Sequence, residues 1–224
     1  MGENQVFELK SHPPLKRLPS FRQGLFYIQD PSTLLAVTQL NPHPGETILD
    51  LCAAPGGKLT YLAQQMQNEG LLVAHDVSPD RLRLIQENCA RLGVTWVQTI
   101  KNVSHANIRT QSARLFDRIL IDAPCSNTGV MSRRVDLRWR IQPEEIDRLQ
   151  KEQMHLLHAG AQLLRPGGTL VYSTCSLEPE ENEEVLKEFL LQDPEFQLEA
   201  ERWLLPFVEE VDGAYVARLQ RKPK

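Results

Sequence analysis

Two of the four cysteines are set apart by their neighbours. Cys125 lies in Asp122-Ala123-Pro124-Cys125-Ser126-Asn127-Thr128-Gly129, and Cys175 lies in Ser173-Thr174-Cys175-Ser176. Each follows a short apolar run that reads as a strand, 116–121 and 169–173, so each thiol falls in a Ser/Thr-rich turn beyond a strand end. Neighbouring strands lie roughly 4.8 Å apart. If these two are neighbours, both thiols and the Asp122 carboxylate project from one sheet edge. A thiolate nucleophile with an acid beside it is the chemistry such a group suits. A redox disulfide is the alternative, since adjacent strand ends can meet its geometry. Cys52 and Cys89 read instead as small core residues.

A second centre is Asp50-Leu51-Cys52-Ala53-Ala54-Pro55-Gly56-Gly57-Lys58. An apolar run enters it and a helical pattern, Leu59-Thr60-Tyr61-Leu62, leaves it, which makes a strand, a tight loop and a helix N-terminus. In an open α/β sheet, a nucleotide-like ligand is expected there. Asp76 ends the next strand, where a carboxylate can accept both hydroxyls of a ribose, although Asp76 or Asp80 could equally cap the following helix. The loop has neither the G-x-G-x-x-G spacing of dinucleotide sites nor that of a P-loop. The ligand expected is therefore a lone nucleoside such as S-adenosyl-L-methionine. A third feature is the stretch 132–140, with Arg133, Arg134, Arg138, Arg140 and Trp139. Arginine pairs with phosphate and tryptophan offers a stacking face, so Arg133, Arg134, Arg138 and Trp139 read as nucleic-acid contacts.

The elements that must position these groups alternate. Strands are expected at 47–51, 71–75, 94–100, 116–121 and 169–173, with helices at 79–92, 143–164 and 179–191. Such alternation implies an α/β fold with a parallel sheet covered on both faces. Runs at 196–198 and 214–219 read as a closing β pair and hence an antiparallel edge. Upstream, 6–9 and 24–28 are strand-like, and Asp30-Pro31 opens a helix with Asp30 as N-cap and Pro31 at its first position. Residues 1–40 are expected to form a basic arm and small packing segment, and 41–224 the catalytic domain.

The 224 residues, 41% hydrophobic and 24% charged, suit one α/β domain with a large core. A net charge of -4 means that any basic surface is local. No C-x-x-C pair occurs and the six histidines are scattered, so no metal is expected; His155 and His158 share a helix face without a suitably spaced acid. No run approaches the ~20 apolar residues of a membrane span. With no signal-like N-terminus either, the expectation is a cytoplasmic protein with reduced thiols and no membrane partner.

Together these pieces resemble the NOL1/NOP2/Sun family of RNA cytosine-5 methyltransferases. The likeness rests on Gln29-Asp30-Pro31-Ser32, the loop from Asp50 to Lys58, Asp76, Asp122-Ala123-Pro124-Cys125, Arg133-Arg134-Val135-Asp136-Leu137-Arg138-Trp139, and Ser173-Thr174-Cys175-Ser176-Leu177-Glu178-Pro179-Glu180-Glu181-Asn182. It spans roughly residues 21 to 220. It implies a class I, Rossmann-like methyltransferase with a mostly parallel seven-stranded sheet and an antiparallel edge hairpin. S-adenosyl-L-methionine would then be held by Cys52, Ala53, Ala54, Pro55, Gly56, Gly57, Lys58, Asp76, Arg81 and Asp122. Relatives carry an acid after the third strand, where this chain has Lys101-Asn102; Asn102 would take the adenine edge. For the reaction, Cys175 is expected to attack cytosine C6, Asp122 to hydrogen-bond N3, and Cys125 to help remove the C5 proton. The RNA implied is rRNA, of the small subunit, with tRNA open. A separate targeting protein, or a chain cut to its catalytic core, would account for the lack of an upstream RNA-binding domain. The competing readings are a non-catalytic RNA-binding or assembly protein on the same fold and, more weakly, a DNA methyltransferase.

Overall fold

The computed structural model of the protein describes residues 6–11, 13–101 and 115–223. Among them, seven strands form one sheet in the order β3-β2-β1-β4-β5-β7-β6. The strands are β1 (Thr47–Asp50), β2 (Leu71–His75), β3 (Val97–Ile100), β4 (Phe116–Asp122), β5 (Leu164–Thr174), β6 (Phe196–Leu204) and β7 (Ala214–Arg221). β1 to β5 pair in parallel, and β7 runs antiparallel between β5 and β6. The expected antiparallel pair is present, with its second strand on the inside. The mostly parallel α/β architecture is as the alternation implies.

Successive strand residues face opposite sides, and the core divides accordingly. Leu49, Leu51, Ile119, Ile121, Leu170 and Tyr172 share one apolar cluster, while Ile48, Leu72, Leu120, Val171 and Val216 belong to the other. In chain order the helices are α1 (Pro19–Arg22), α2 (Leu34–Leu40), α3 (Gly57–Gln65), α4 (Pro79–Arg91), α5 (Leu137–Arg140), α6 (Pro143–Leu163), α7 (Glu183–Gln192) and α8 (Pro206–Glu209). Leu157 and Ala161 of α6 and Val185, Leu186 and Phe189 of α7 cover the first face. Leu35, Val37 and Leu40 of α2, Leu59 and Leu62 of α3, and Ile85 of α4 cover the second. Burying each such side chain contributes about 1.5–3 kcal/mol, so both layers are firmly seated.

The N-terminal third departs from the sequence reading in two places. Residues 6–9 are exposed and form no strand, because no sheet edge receives them. The run 24–28 is also irregular. Arg91 of α4 donates to the carbonyls of Phe21 and Phe26, both at 3.0 Å, and its guanidinium lies 4.1 Å from the Phe21 ring centre. Those carbonyls satisfy an arginine rather than a neighbouring strand. Asp30 does cap as expected: its carboxylate accepts from Ser32 N at 2.9 Å, ahead of a 3₁₀ turn, Pro31–Thr33, that leads into α2. β3 starts later than expected because Val94 N still bonds the Cys89 carbonyl at the end of α4. β6 is longer than expected; its exposed, polar residues carry no apolar alternation to announce it.

Candidate active site

The strand order reverses between β1 and β4, the switch point at whose carboxyl ends open α/β sheets hold their ligands. On the β1 side, the loop is stitched down through its backbone. Leu51 N donates to the Leu120 carbonyl and Ala53 N to that of His75, both at 2.9 Å. From α4, Arg81 Nη2 reaches the Ala54 carbonyl at 3.0 Å and Asn88 Nδ2 that of Pro55 at 2.9 Å. The Ala54–Pro55 bond is cis. Gly56, at φ 105°, occupies a left-handed conformation that admits a glycine at the N-cap of α3. A β-carbon on Gly57 would meet the Gln29 and Tyr27 side chains, both at 2.8 Å.

Three carboxylates end three neighbouring strands here. Asp76 is buried, accepts from Ser78 N at 3.0 Å, and has Arg81 Nε at 3.3 Å. Ser78, rather than Asp76 or Asp80, caps α4, its hydroxyl accepting from Arg81 N. Asp50 is 1% exposed, and neither of its carboxylate oxygens has a hydrogen-bond partner. Burial first, then the charge of Asp122, pushes its pKa up to about 8; the Lys58 ammonium and then the Cys52 amide, which falls short of hydrogen-bond geometry, pull the other way. Cys52 is half-buried, more open than a core residue, and burial together with the three carboxylates raises its thiol well above the ordinary range. Asn102 lies outside the described residues.

Asp122, at the end of β4, joins this side to the thiols. Lys58 Nζ donates to its Oδ2 at 2.8 Å and Ser173 Oγ to its Oδ1 at 2.9 Å. β4 and β5 are paired, with Asp122 opposite Ser173, so the two turns beyond them meet. Cys125 Sγ and Cys175 Sγ are 3.3 Å apart and both are free thiols. As a thiol, Cys175 donates to Asn127 Oδ1 at 3.1 Å; as a thiolate, it takes a hydrogen bond from Cys125. That bond from Cys125 is the main cause of a lowered Cys175 pKa; burial and Asp122 oppose it and the Lys58 ammonium adds to it. Cys125 moves the other way, raised by the same bond, by burial and by Glu181. The less exposed thiol is thus the one that holds its proton more tightly, and the more accessible one the readier to lose it.

Arg133 is held by two carboxylates, Asp30 and Asp212, whereas Arg134, Arg138 and Trp139 are exposed, Trp139 at 85%. Leu137 alone anchors α5 in the interior. The structure therefore brings together the loop 52–58, Lys58, Asp76, Arg81, Asp122, Cys125 and Cys175, with the Arg-Trp segment following the Cys125 turn. Three groups at the site carried no role in the sequence reading. Asp50 was visible as an acid at a strand end directly before a small-residue loop. Asn127 was visible only as part of its turn, and Glu181 only as one acid in a Glu-rich run. Among the described residues, no group of three or more His, Cys, Asp or Glu is placed to hold a metal, and no helix is long and apolar enough to cross a membrane.

A family model described as 16S rRNA methyltransferase RsmB/F matches residues 37–220. The ribosomal RNA small subunit methyltransferase B of Vibrio cholerae serotype O1 is 40% identical over 212 residues, covering 92% of this chain and 48% of that protein. The probable ribosomal RNA small subunit methyltransferase B of Bacillus subtilis is 36% identical over 219 residues, covering 90% and 49%. The crystal structure of NSun6 from Pyrococcus horikoshii with SFG superposes with a TM-score of 0.84 at 32% identity, covering 95% of this chain and 57% of that one. The chain spans about half the length of the curated relatives it matches.

Proposed function

The chain belongs to the RsmB/F family of 16S rRNA methyltransferases, and from that premise we propose that it methylates C5 of a cytosine in RNA, small-subunit rRNA foremost. The donor in this reading is S-adenosyl-L-methionine, which supplies an electrophilic methyl group when bound. The carrying observation is the pair of free thiols 3.3 Å apart beside the Asp122–Lys58 ion pair.

The residues present fit that donor. Asp50 offers a buried carboxylate that lacks any hydrogen-bond donor, the condition a ligand's amino group would relieve. Gly56 keeps the turn open where a side chain would be strained. Cys52, Ala53, Ala54, Pro55, Gly56, Gly57 and Lys58 would form the cradle, Asp76 would take the ribose hydroxyls with Arg81 behind it, and Asn102 the adenine edge. The P. horikoshii relative with SFG, an S-adenosylmethionine analogue, supports the choice.

Cytosine C5 is a weak nucleophile until C6 is attacked. The Cys175 thiolate forms the S–C6 bond, and the C5=C6 electron pair becomes available at C5 as charge develops towards N3. Asp122 lies at the base's N3 edge in this reading, with the Lys58 ammonium behind it as the proton reserve that neutralises N3. After C5 gains its methyl group, Cys125, its own thiol proton first passed to solvent, takes the C5 proton, directly or through water. Elimination then breaks the S–C6 bond, releasing the Cys175 thiolate, and N3 returns its proton towards Asp122 and Lys58 as the aromatic ring is restored. The base must leave any stack to reach the thiols, so an unpaired or flipped nucleotide is expected. Arg134, Arg138 and Trp139 would contact the RNA, with Arg133 fixing the segment that bears them.

The test uses radiolabelled small-subunit rRNA on a denaturing gel. Cys125→Ala is expected to accumulate a covalent protein–RNA adduct, and Cys175→Ala to form none and to lose methylation. The reverse pattern exchanges the two roles. Absence of methylation and adduct in all three proteins, wild type included, on rRNA and tRNA alike, overturns the reading.

A further inference from the structure

Each of the two thiols is followed by a serine, and both serines end on the same carboxylate. Ser126 Oγ and Ser176 Oγ both donate to Oε2 of Glu181, the latter at 2.5 Å, and the two hydroxyls are 3.1 Å apart. The other oxygen, Oε1, accepts from Ser126 N at 2.9 Å and from Gln153 Nε2 of α6 at 3.1 Å. Gln153 also donates to the Pro124 carbonyl at 2.9 Å. Glu181 is fully buried, and its main-chain carbonyl takes the Tyr172 hydroxyl of β5 at 2.7 Å. Next to it, Asn182 ties Thr174 and the Ser176 carbonyl, at 2.6 and 3.1 Å. Every partner of the Glu181 side chain is a donor, the complement that an acceptor-only group requires.

A buried carboxylate is costly unless it is fully hydrogen-bonded, and a glutamate that only filled space here could be replaced by a smaller cost. This one instead spans the residue after each reacting sulfur. We propose that Glu181, acting through Ser126 and Ser176, is the positioning residue that fixes the spacing of the two thiols and widens their inequality. The hydrogen bond between the two sulfurs sets the direction of the inequality, and the asymmetry of Glu181's reach adds to it. Two of its bonds go to Ser126, adjacent to Cys125, so its negative charge falls on the Cys125 side and holds that proton in place. On the other side, the Lys58 ammonium favours the Cys175 thiolate against the opposing charge of Asp122. Cys175 is left as the thiol that ionises and Cys125 as the one that shuttles a proton. This role in turnover rests on the methyltransferase reading; the inequality of the thiols does not.

Glu181→Gln keeps the shape and removes the charge. In RNA-free protein, iodoacetamide labelling of the two cysteines across pH 6–9, read by mass spectrometry, is expected to show the Cys175-to-Cys125 ratio falling about tenfold, the equivalent of one pKa unit. With rRNA, kcat is expected to fall on the order of 100-fold, within the range of lost acid–base assistance, while KM for RNA stays within about threefold and adduct accumulates. Ser126→Ala and Ser176→Ala remove one donor each and are expected to give smaller shifts in the same direction; they carry the test if Glu181→Gln does not fold. An unchanged labelling ratio and kcat in folded variants overturns the proposal and leaves Glu181 a packing residue. If wild type methylates no RNA while the labelling ratio still shifts, the functional reading fails and the inequality of the thiols stands.

Discussion

The loop after β1 is held mainly through its own backbone and strand-end amides, whereas the two cysteine turns across the switch point are held through buried side chains far apart in sequence. On the first side, Leu51, Ala53, Ala54 and Pro55 all make main-chain hydrogen bonds, two of them to neighbouring strands. On the second, Glu181 reaches back 55 residues to Ser126 and 28 to Gln153. The loop after β1 needs glycine at Gly56, where φ is positive, while the cysteine turns need every buried partner satisfied and a close backbone approach at Gly129. Lys58 is where the two meet, rooted in the first and paired with Asp122 in the second.

The largest way to break this contrast is Gly129→Ala. Gly129 N donates to the Cys175 carbonyl and its own carbonyl accepts from Gly213 N, both at 2.9 Å. A β-carbon there would meet Gly213 O at 2.5 Å and Cys175 O at 2.8 Å, which are backbone atoms that cannot step aside. The expected cost is about 3 kcal/mol, read as a fall in Tm of roughly 10 °C, with loss of thiol pairing. A smaller effect probes the carboxylate beneath the loop. Asp50, with a folded pKa of about 8, retains a proton that the unfolded chain releases near pH 4. Stability therefore falls as pH rises through that window, and Asp50→Asn is expected to flatten the slope. Compared from pH 5 to pH 8 by thermal melting, the variant should gain about 1 kcal/mol or more on wild type; parallel curves would refute it. The smallest effect is expected from Gly57→Ala, whose β-carbon meets the Gln29 and Tyr27 side chains at 2.8 Å. Those can turn away, and alanine favours the helix by about 1 kcal/mol, so Tm should stay within about 3 °C. A collapse as large as that of Gly129→Ala would erase the distinction between the two sides.

What could be read in the sequence follows the same division. Strand ends, the small-residue loop and the two cysteine turns are local patterns, and β1, β2 and β4 fall within a residue of where their apolar runs place them. The strand order is a property of the assembled sheet, so the closeness of Cys125 and Cys175 was conditional until β4 and β5 were seen paired. Glu181 escaped notice because a buried acid and an exposed one look alike in a Glu-rich run; only its four donors, from Ser126, Ser176 and Gln153, distinguish it. Residues 24–28 had the apolar content of a strand but were claimed by Arg91, a partner some 65 residues away that no local pattern announces. Arg133 was grouped with its basic neighbours on spacing, and the two carboxylates that engage it come from distant parts of the chain.

That double engagement bears on how the protein is made. Asp30 precedes Arg133 by 103 residues and Asp212 follows it by 79, so the segment carrying Trp139 has its orientation settled only after Asp212 has been synthesised. β7, which sits inside the sheet between β5 and β6, arrives at the same late stage. A nascent chain thus completes the loop after β1 early and the pair of anchors of the Arg-Trp segment last.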